Sequence, residues 1–515
     1  MKKKELTSMP ILTQKEFDNC KREFTVNKDF NLNGAKIVVP RQMTMRFEEG
    51  SINNGTLVLN DNLLEGMEDG SIDARIEGSV RNETIYTSTI GGIDNLANLI
   101  LTGKTIKCNV PNDVLNNTIV LNDTSTTLTT TFDGMNIIIS SNVNFFEIYG
   151  QSNIIIQNFH AIANSSSLEF ERMVTTAANV TNVNFYGNIV DGFKLGISLN
   201  NDSDTYTVNY CTVSNNHVYN CQGSTSGSGY GIHMANARNC DITGNEIVNC
   251  ERHAIYHAYG ENNTICNNII RNHCQNLTTY PLLAALEIGR KSKNVTVRYN
   301  TFVNCNNICL LIYSPLAAND GDDGLAHPWR YGRCENIYVR DNSFYKGTLT
   351  GSIGNLPFIY IGVEATPYSI LSAQGKVVVN VEIRDNLFDK VGGVNQKCIK
   401  VHQCEQLYIS GNCFQLGLPS SSSQNDDYLV IDIPSAYVQD NHVQMTIIQN
   451  TFIYNDHAAK RNLYLMGENM SQIDSSVNSY FTIAWTSNTL QNQIIGGNTM
   501  YKLSKYTPGN NFVIS

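Results

Sequence analysis

Three short segments carry most of the side chains able to move a proton: GIHMA from Gly231, AIYHA from Ala254 and ALEIG from Ala285. If the apolar residues that alternate along them face inward, then His233, Tyr256 and Glu287 face outward together. An imidazole, a phenol and a carboxyl group in a row are equipment for general acid–base work. In a β-elimination, Tyr256 or His233 would remove the proton next to a carboxyl group while Arg290, Lys291 or Arg330 neutralised that carboxylate. In a hydrolysis, one carboxylic acid would protonate the leaving oxygen and a second carboxylate would activate water or attack, with Glu287 as one of the pair and Asp320, Asp322 or Asp323 as its candidate partner.

The same alignment takes in GISLN at Gly196, CLLIY at Cys309, FIYIG at Phe358 and CIKVH at Cys398. The outward column then reads Ser198, His233, Tyr256, Glu287, Leu311, Tyr360, Lys400, with Tyr360 and Lys400 as binding residues beyond the reactive trio. One long insertion, Ser314 to Arg333, contains Trp329, one of two tryptophans, with His327, Arg330 and Arg333. That composition suits stacking on a sugar ring and pairing with a carboxylate or sulfate. His257 falls on the inward register and reads as a core histidine, while His253 and His273 lie near bends and read as turn residues. The nearby cysteines and histidines match no standard zinc spacing, and no cofactor is expected. Asn319 to Gly324 loosely resembles a calcium loop but lacks its terminal Glu, so a solvated acidic loop is the simpler reading.

Positioning such a row needs a repeating scaffold, and one template supplies it: Asn, apolar, any, apolar, any, any, Asn, any, apolar. It reads NVNFYGNIV from Asn182, NCDITGNEI from Asn239, NNTICNNII from Asn262, NVTVRYNTF from Asn294, NIYVRDNSF from Asn336 and NVEIRDNLF from Asn380. From Asn158 through Asn188, Asn216, Asn245 and Asn268 to Asn300, the second asparagines recur 23 to 32 residues apart. Such a unit cannot bury its strands alone, but stacked coils share one continuous core, which predicts an all-β, single-stranded right-handed parallel β-helix. The second asparagines should lie over one another at a bend, in left-handed backbone, with Cys221, Cys250, Cys274 and Cys305 forming an interior thiol column. Thr13 to Glu16 is a capping-box pattern, and Phe17, Cys20 and Phe24 follow at helical spacing, predicting a short helix over the open end. The organisation expected is a cap segment over 1–31, the β-helix over 32–455, and terminal coils or a C-terminal cap over 456–515.

The net charge of −10, with 36 Lys and Arg and no basic run, argues against nucleic acid and anionic membranes as partners. No membrane span and no signal peptide are read in the chain, so a cytoplasmic or phage-associated protein, or one exported with its signal removed, all remain open. Fourteen cysteines in 515 residues then read as reduced, buried thiols.

Through its Asn-bounded repeats, over roughly residues 150 to 455, the chain resembles the pectate-lyase-like right-handed β-helix superfamily. The opening FNLNGAKIVVPRQMTMRFEEGSINNGTLVLNDN looks like the first coils of tailspike-like proteins. The resemblance implies a polysaccharide partner, a polysaccharide lyase or glycoside hydrolase activity and, on the tailspike side, a homotrimer. It also implies a rival without catalysis, a glycan-binding or tail-fibre-like structural protein. The motifs Asn-Thr-Asp, Gly-His-Gly and Arg-Ile-Lys are missing, and Tyr230 to His233 lacks the Asp-Pro of the alginate epimerases, so the resemblance carries over no catalytic residue.

Overall fold

The computed structural model describes the chain from residue 9 to residue 503 apart from internal segments, the longest being 274–283, 315–331, 346–356, 363–377, 434–443 and 468–492. The chain divides into two compact units, one of residues 1–198 with 211–217 and one of 199–210 with 218–515. In the first, helix Gln14–Asp18 carries the predicted capping box, the Thr13 backbone N–H donating to the Glu16 carboxylate at 2.7 Å. The helix stops at Asp18, short of expectation: Phe24 lies instead on strand Glu23–Val26, its ring 4.4 Å from that of the buried Phe17. Gln14 turns its amide on Val38, donating to its carbonyl and accepting from its N–H at 2.8 Å each. One side chain thereby satisfies both main-chain groups of a residue on an exposed strand edge. Beyond it, Thr84–Tyr86, Thr105–Lys107, Thr130–Asp133, Ser152–Gln157, Val180–Tyr186 and Thr212–Ser214 pair in parallel, one above another.

The second unit shows the predicted parallel β-helix most regularly, with each coil contributing a strand to three parallel sheets. The site sheet stacks Tyr230–Ala235, His253–Ala258, Ala284–Gly289, Ile308–Tyr313, Ile359–Ile361 and Ile399–Val401. The first half of the template forms the second sheet, Asp241–Thr243 to Thr264–Cys266 to Lys293–Arg298 and onward. Its second half forms the third, Glu246–Val248 to Ile269–Arg271 to Thr301–Val303 and onward. The apolar residue closing each template repeat stacks with its equivalents. Phe302, Phe344, Phe388 and Phe414 lie in register with ring centroids 4.9 to 5.0 Å apart and nearly parallel planes.

The corners explain the asparagines, with one correction. The first template Asn does adopt left-handed backbone, φ 52 to 57° at Asn239, Asn262, Asn294, Asn336 and Asn380, and these amides link coil to coil on the surface, Asn294 Nδ2 reaching Asn262 Oδ1 at 2.9 Å. Asn158 at the start of the series is also left-handed, φ 60°, but from Asn188 onward the second Asn is not; the left-handed residue is the one before it, whether Gly244, Asn267, Tyr299 or Asp341. Bending there turns the second Asn inward, where it is buried and forms an amide ladder from Asn245 through Asn268, Asn300, Asn342, Asn386 and Asn412 to Asn450. From Asn268 to Asn412 the backbone N–H and Nδ2 both donate to the next Oδ1, as from Asn268 to Asn300 at 3.0 and 2.9 Å, and Nδ2 also donates to a carbonyl of the coil before. A buried amide is tolerated because all its hydrogen-bonding capacity is used. The next corner repeats the device with a smaller residue: left-handed Asn220, Asn249 and Asn304 precede the buried thiols Cys221, Cys250 and Cys305. Cys274 lies outside the described residues. The 13 described cysteines form no disulfide with one another.

A buried acid–base cluster as candidate functional site

In the site sheet the predicted column is in register: His233 pairs with Tyr256, Tyr256 with Glu287, Glu287 with Leu311, Leu311 with Tyr360 and Tyr360 with Lys400. Neighbouring strands bring His233, Tyr256 and Glu287 into one continuous line at the ~4.8 Å spacing of paired strands. Gly231 makes the first strand's seat possible, since a Cβ there would lie 2.7 Å from the Ala254 carbonyl and 3.0 Å from Cys250 Sγ.

The column is not the open, solvated face that the alternation predicted. His233 is 9% exposed, Tyr256 8% and Glu287 5%. Aromatic packing accounts for part of this: Tyr230 stacks on Tyr256 with centroids 5.2 Å apart and planes 11° apart, and the Arg252 guanidinium lies 5.7 Å from the Tyr230 ring. Further along, Tyr313 packs against the buried cluster of Ala284, Ile308, Leu311 and Tyr360, and the Lys400 ammonium lies 5.3 Å from the Tyr360 ring. Leu311 therefore separates the reactive trio from Tyr360 and Lys400.

One member was not expected. His253, assigned to a turn by its position near a bend, has its ring 5.0 Å from Tyr230 and 5.3 Å from Tyr256, with Nε2 3.3 Å from Glu287 Oε2. Strict alternation groups His253 with the inward Ile255 and His257, but the N–H groups of Arg252 and His253 both point to the Gly229 carbonyl, and this irregularity lets the first residue of the strand escape the pleat. A histidine next to a strand's first bend was the available signal. His257 does face the core. Its Nδ1 meets Ser292 Oγ at 3.1 Å, its Nε2 meets Asn263 Nδ2 at 2.9 Å, and burial lowers its pKa to about 4.

Burial also sets the protonation states in the cluster. It holds His253 well below the ordinary imidazole range, against the opposing hydrogen bond to the Ala284 carbonyl. It raises Tyr256 well above the ordinary phenol range, with Arg290 opposing. Near neutral pH Tyr256 is therefore a phenol. Arg290 and Lys291 follow the Glu287 strand in consecutive left-handed conformations, φ 54 and 67°. Arg333 pairs with Glu405 at 3.3 Å. His327, Trp329, Arg330, the three loop aspartates and the calcium-like stretch lie outside the described residues. Among the described residues no group of three His, Cys, Asp or Glu could hold a metal ion, and no helix is long and apolar enough to cross a membrane.

No family model matches the chain, and no curated protein matches it in sequence. Among solved structures, an alginate lyase from Paenibacillus is similar at 13% identity and TM-score 0.34, over 57% of this chain and 94% of its own. The Streptococcus pneumoniae surface adhesin PfbA is similar at 12% identity and TM-score 0.40, over 79% and 91%. A lacto-N-biosidase from Eubacterium ramulus is similar at 11% identity and TM-score 0.40, over 73% and 67%. Two are enzymes and one is an adhesin, so the likeness brings no activity with it. What the chain is rests on its own stacked, in-register parallel strands: it is a parallel β-helix.

Proposed function

We propose that this chain is a carbohydrate-active protein that cleaves a polysaccharide at the row His233, Tyr256 and Glu287. The observation carrying this reading is the convergence of Tyr230, His233, His253, Tyr256 and Glu287 from three successive coils into one nearly buried cluster. Ordinary surface side chains of these types stay solvated, and a buried group of them with shifted pKa values is a signal of a functional site. Glu287 and Tyr256 supply protons for a leaving glycosidic oxygen, and His233 is the base candidate. Arg290 and Lys291, with His327, Trp329 and Arg330 of the 314–333 loop and Tyr360 and Lys400 along the row, form the binding residues of this reading. Equal steps from coil to coil suit an extended polymer of repeating sugars, and any homotrimer would follow from the tailspike resemblance alone.

A second reading, glycan binding without cleavage, is favoured by one observation: the trio is only 5 to 9% exposed. A glycan panel separates the readings. New absorbance from unsaturated uronates together with new reducing ends identifies elimination, reducing ends alone identify hydrolysis, and binding with neither refutes cleavage.

A further inference from the structure

His253 and Glu287 face each other with a hydrogen-bonding deficit. His253 Nδ1 lies 2.8 Å from the Ala284 carbonyl, which can only accept, so Nδ1 carries a hydrogen. On the other side Nε2 faces Glu287 Oε2 at 3.3 Å. A neutral imidazole of that tautomer has a lone pair there, and so does a carboxylate. Two lone pairs do not attract; one proton must lie between them.

We infer that His253 and Glu287 share one proton, that it resides on Glu287, and that His253 is the positioning residue keeping this carboxyl group in its acid form for donation. The surroundings favour the uncharged arrangement over an imidazolium–carboxylate pair. Both side chains are almost fully buried, which penalises the charged form of each. The Arg252 guanidinium lies near His253 and disfavours a second positive charge there, while His273 is itself held neutral by burial. Tyr230 covers the imidazole with its ring, Tyr256 pairs beside Glu287, and Leu311 on the following strand offers no counter-charge. Arg290, whose charge also acts on Tyr256, is the cation that pulls the other way. Cys334, also near Glu287, is held as a thiol by burial, its pKa raised to about 11.

The inference deepens the cleavage reading and rests on it for its use. The proton leaves Glu287 with the glycosidic oxygen as the C–O bond breaks. In hydrolysis water gives its hydroxyl to the sugar carbon and its remaining proton to the carboxylate, which restores the pair. In elimination the proton that His233 takes from carbon is returned through solvent, with the same balance.

Two measurements keep the pair and the activity apart. Nitrogen-15 spectra of histidine-labelled full-length protein at pH 7 should show His253, identified by its loss in His253→Gln, with Nδ1 protonated and Nε2 bare. Infrared difference spectra against Glu287→Gln should show a carboxylic-acid carbonyl stretch. Glu287→Gln retains an N–H donor toward Nε2 and should leave the tautomer unchanged. On a cleaved glycan, His253→Gln, which places a donor opposite the carboxylate, should move the alkaline limb of kcat/KM down by about one pH unit or more. An imidazolium, an Nε2–H tautomer, a missing acid band or an unmoved limb in folded His253→Gln overturns the inference. Correct spectra with no glycan cleaved support the pair and refute the cleavage reading alone.

Discussion

At the scale of residues, environment decides what each ionisable group does. His257 and His273 are of one type and both fully buried, and burial lowers their pKa values to about 4 and about 3. Their unfolded counterparts titrate near 6.5, so between 6.5 and those values the unfolded chain binds more protons than the folded one. The stabilisation is complete above pH 6.5 and is lost as pH falls toward 4. His257 alone should account for about 2 to 3 kcal/mol lost between pH 7 and pH 4.5, read as a lower urea midpoint. An unchanged midpoint would show that these histidines are not buried neutral. Of the cluster, the register of His233, Tyr256 and Glu287 was legible in the sequence, because strand pairing follows from two-residue alternation. Their burial and the entry of His253 were not, because the first depends on what packs over the sheet and the second on a main-chain irregularity at a bend.

At the scale of elements, the template encodes corners as much as strands. A left-handed residue followed by an inward one bends the chain, and the two asparagines of each repeat take opposite parts in this device. The first, exemplified by Asn294, holds left-handed backbone at the surface; the second, exemplified by Asn300, is a buried rung. Asn294→Gly should therefore cost little, since glycine accepts that backbone freely. Asn300→Gly leaves the Asn268 amide groups and the Ile265 carbonyl without their partner and should cost about 2 to 4 kcal/mol. Equal losses in urea denaturation would refute the division of roles. The repeat was legible because asparagine recurs in it; which asparagine bends was not, because Tyr299 and Asp341 occupy the left-handed position as readily as Gly244. The N-terminal helix followed the same pattern, its capping box readable in Thr13 and Glu16 and its end at Asp18 decided by strand pairing from Glu23.

At the scale of the whole molecule, the second unit is a stack in which each coil contributes one position to every column, whether phenylalanine core, asparagine ladder or site row. That economy lets three coils build an acid–base cluster without a dedicated domain, and it explains why the fold could be read from composition and spacing while the chemistry could not. The central claim is that one of these columns cleaves a polysaccharide with Glu287 as its acid. Turnover by Glu287→Gln on whichever glycan the wild-type chain cleaves tests it most directly. The account predicts turnover reduced at least about tenfold, with the melting temperature nearly unchanged because glutamine keeps a donor toward His253. Wild-type turnover in the folded variant would contradict it.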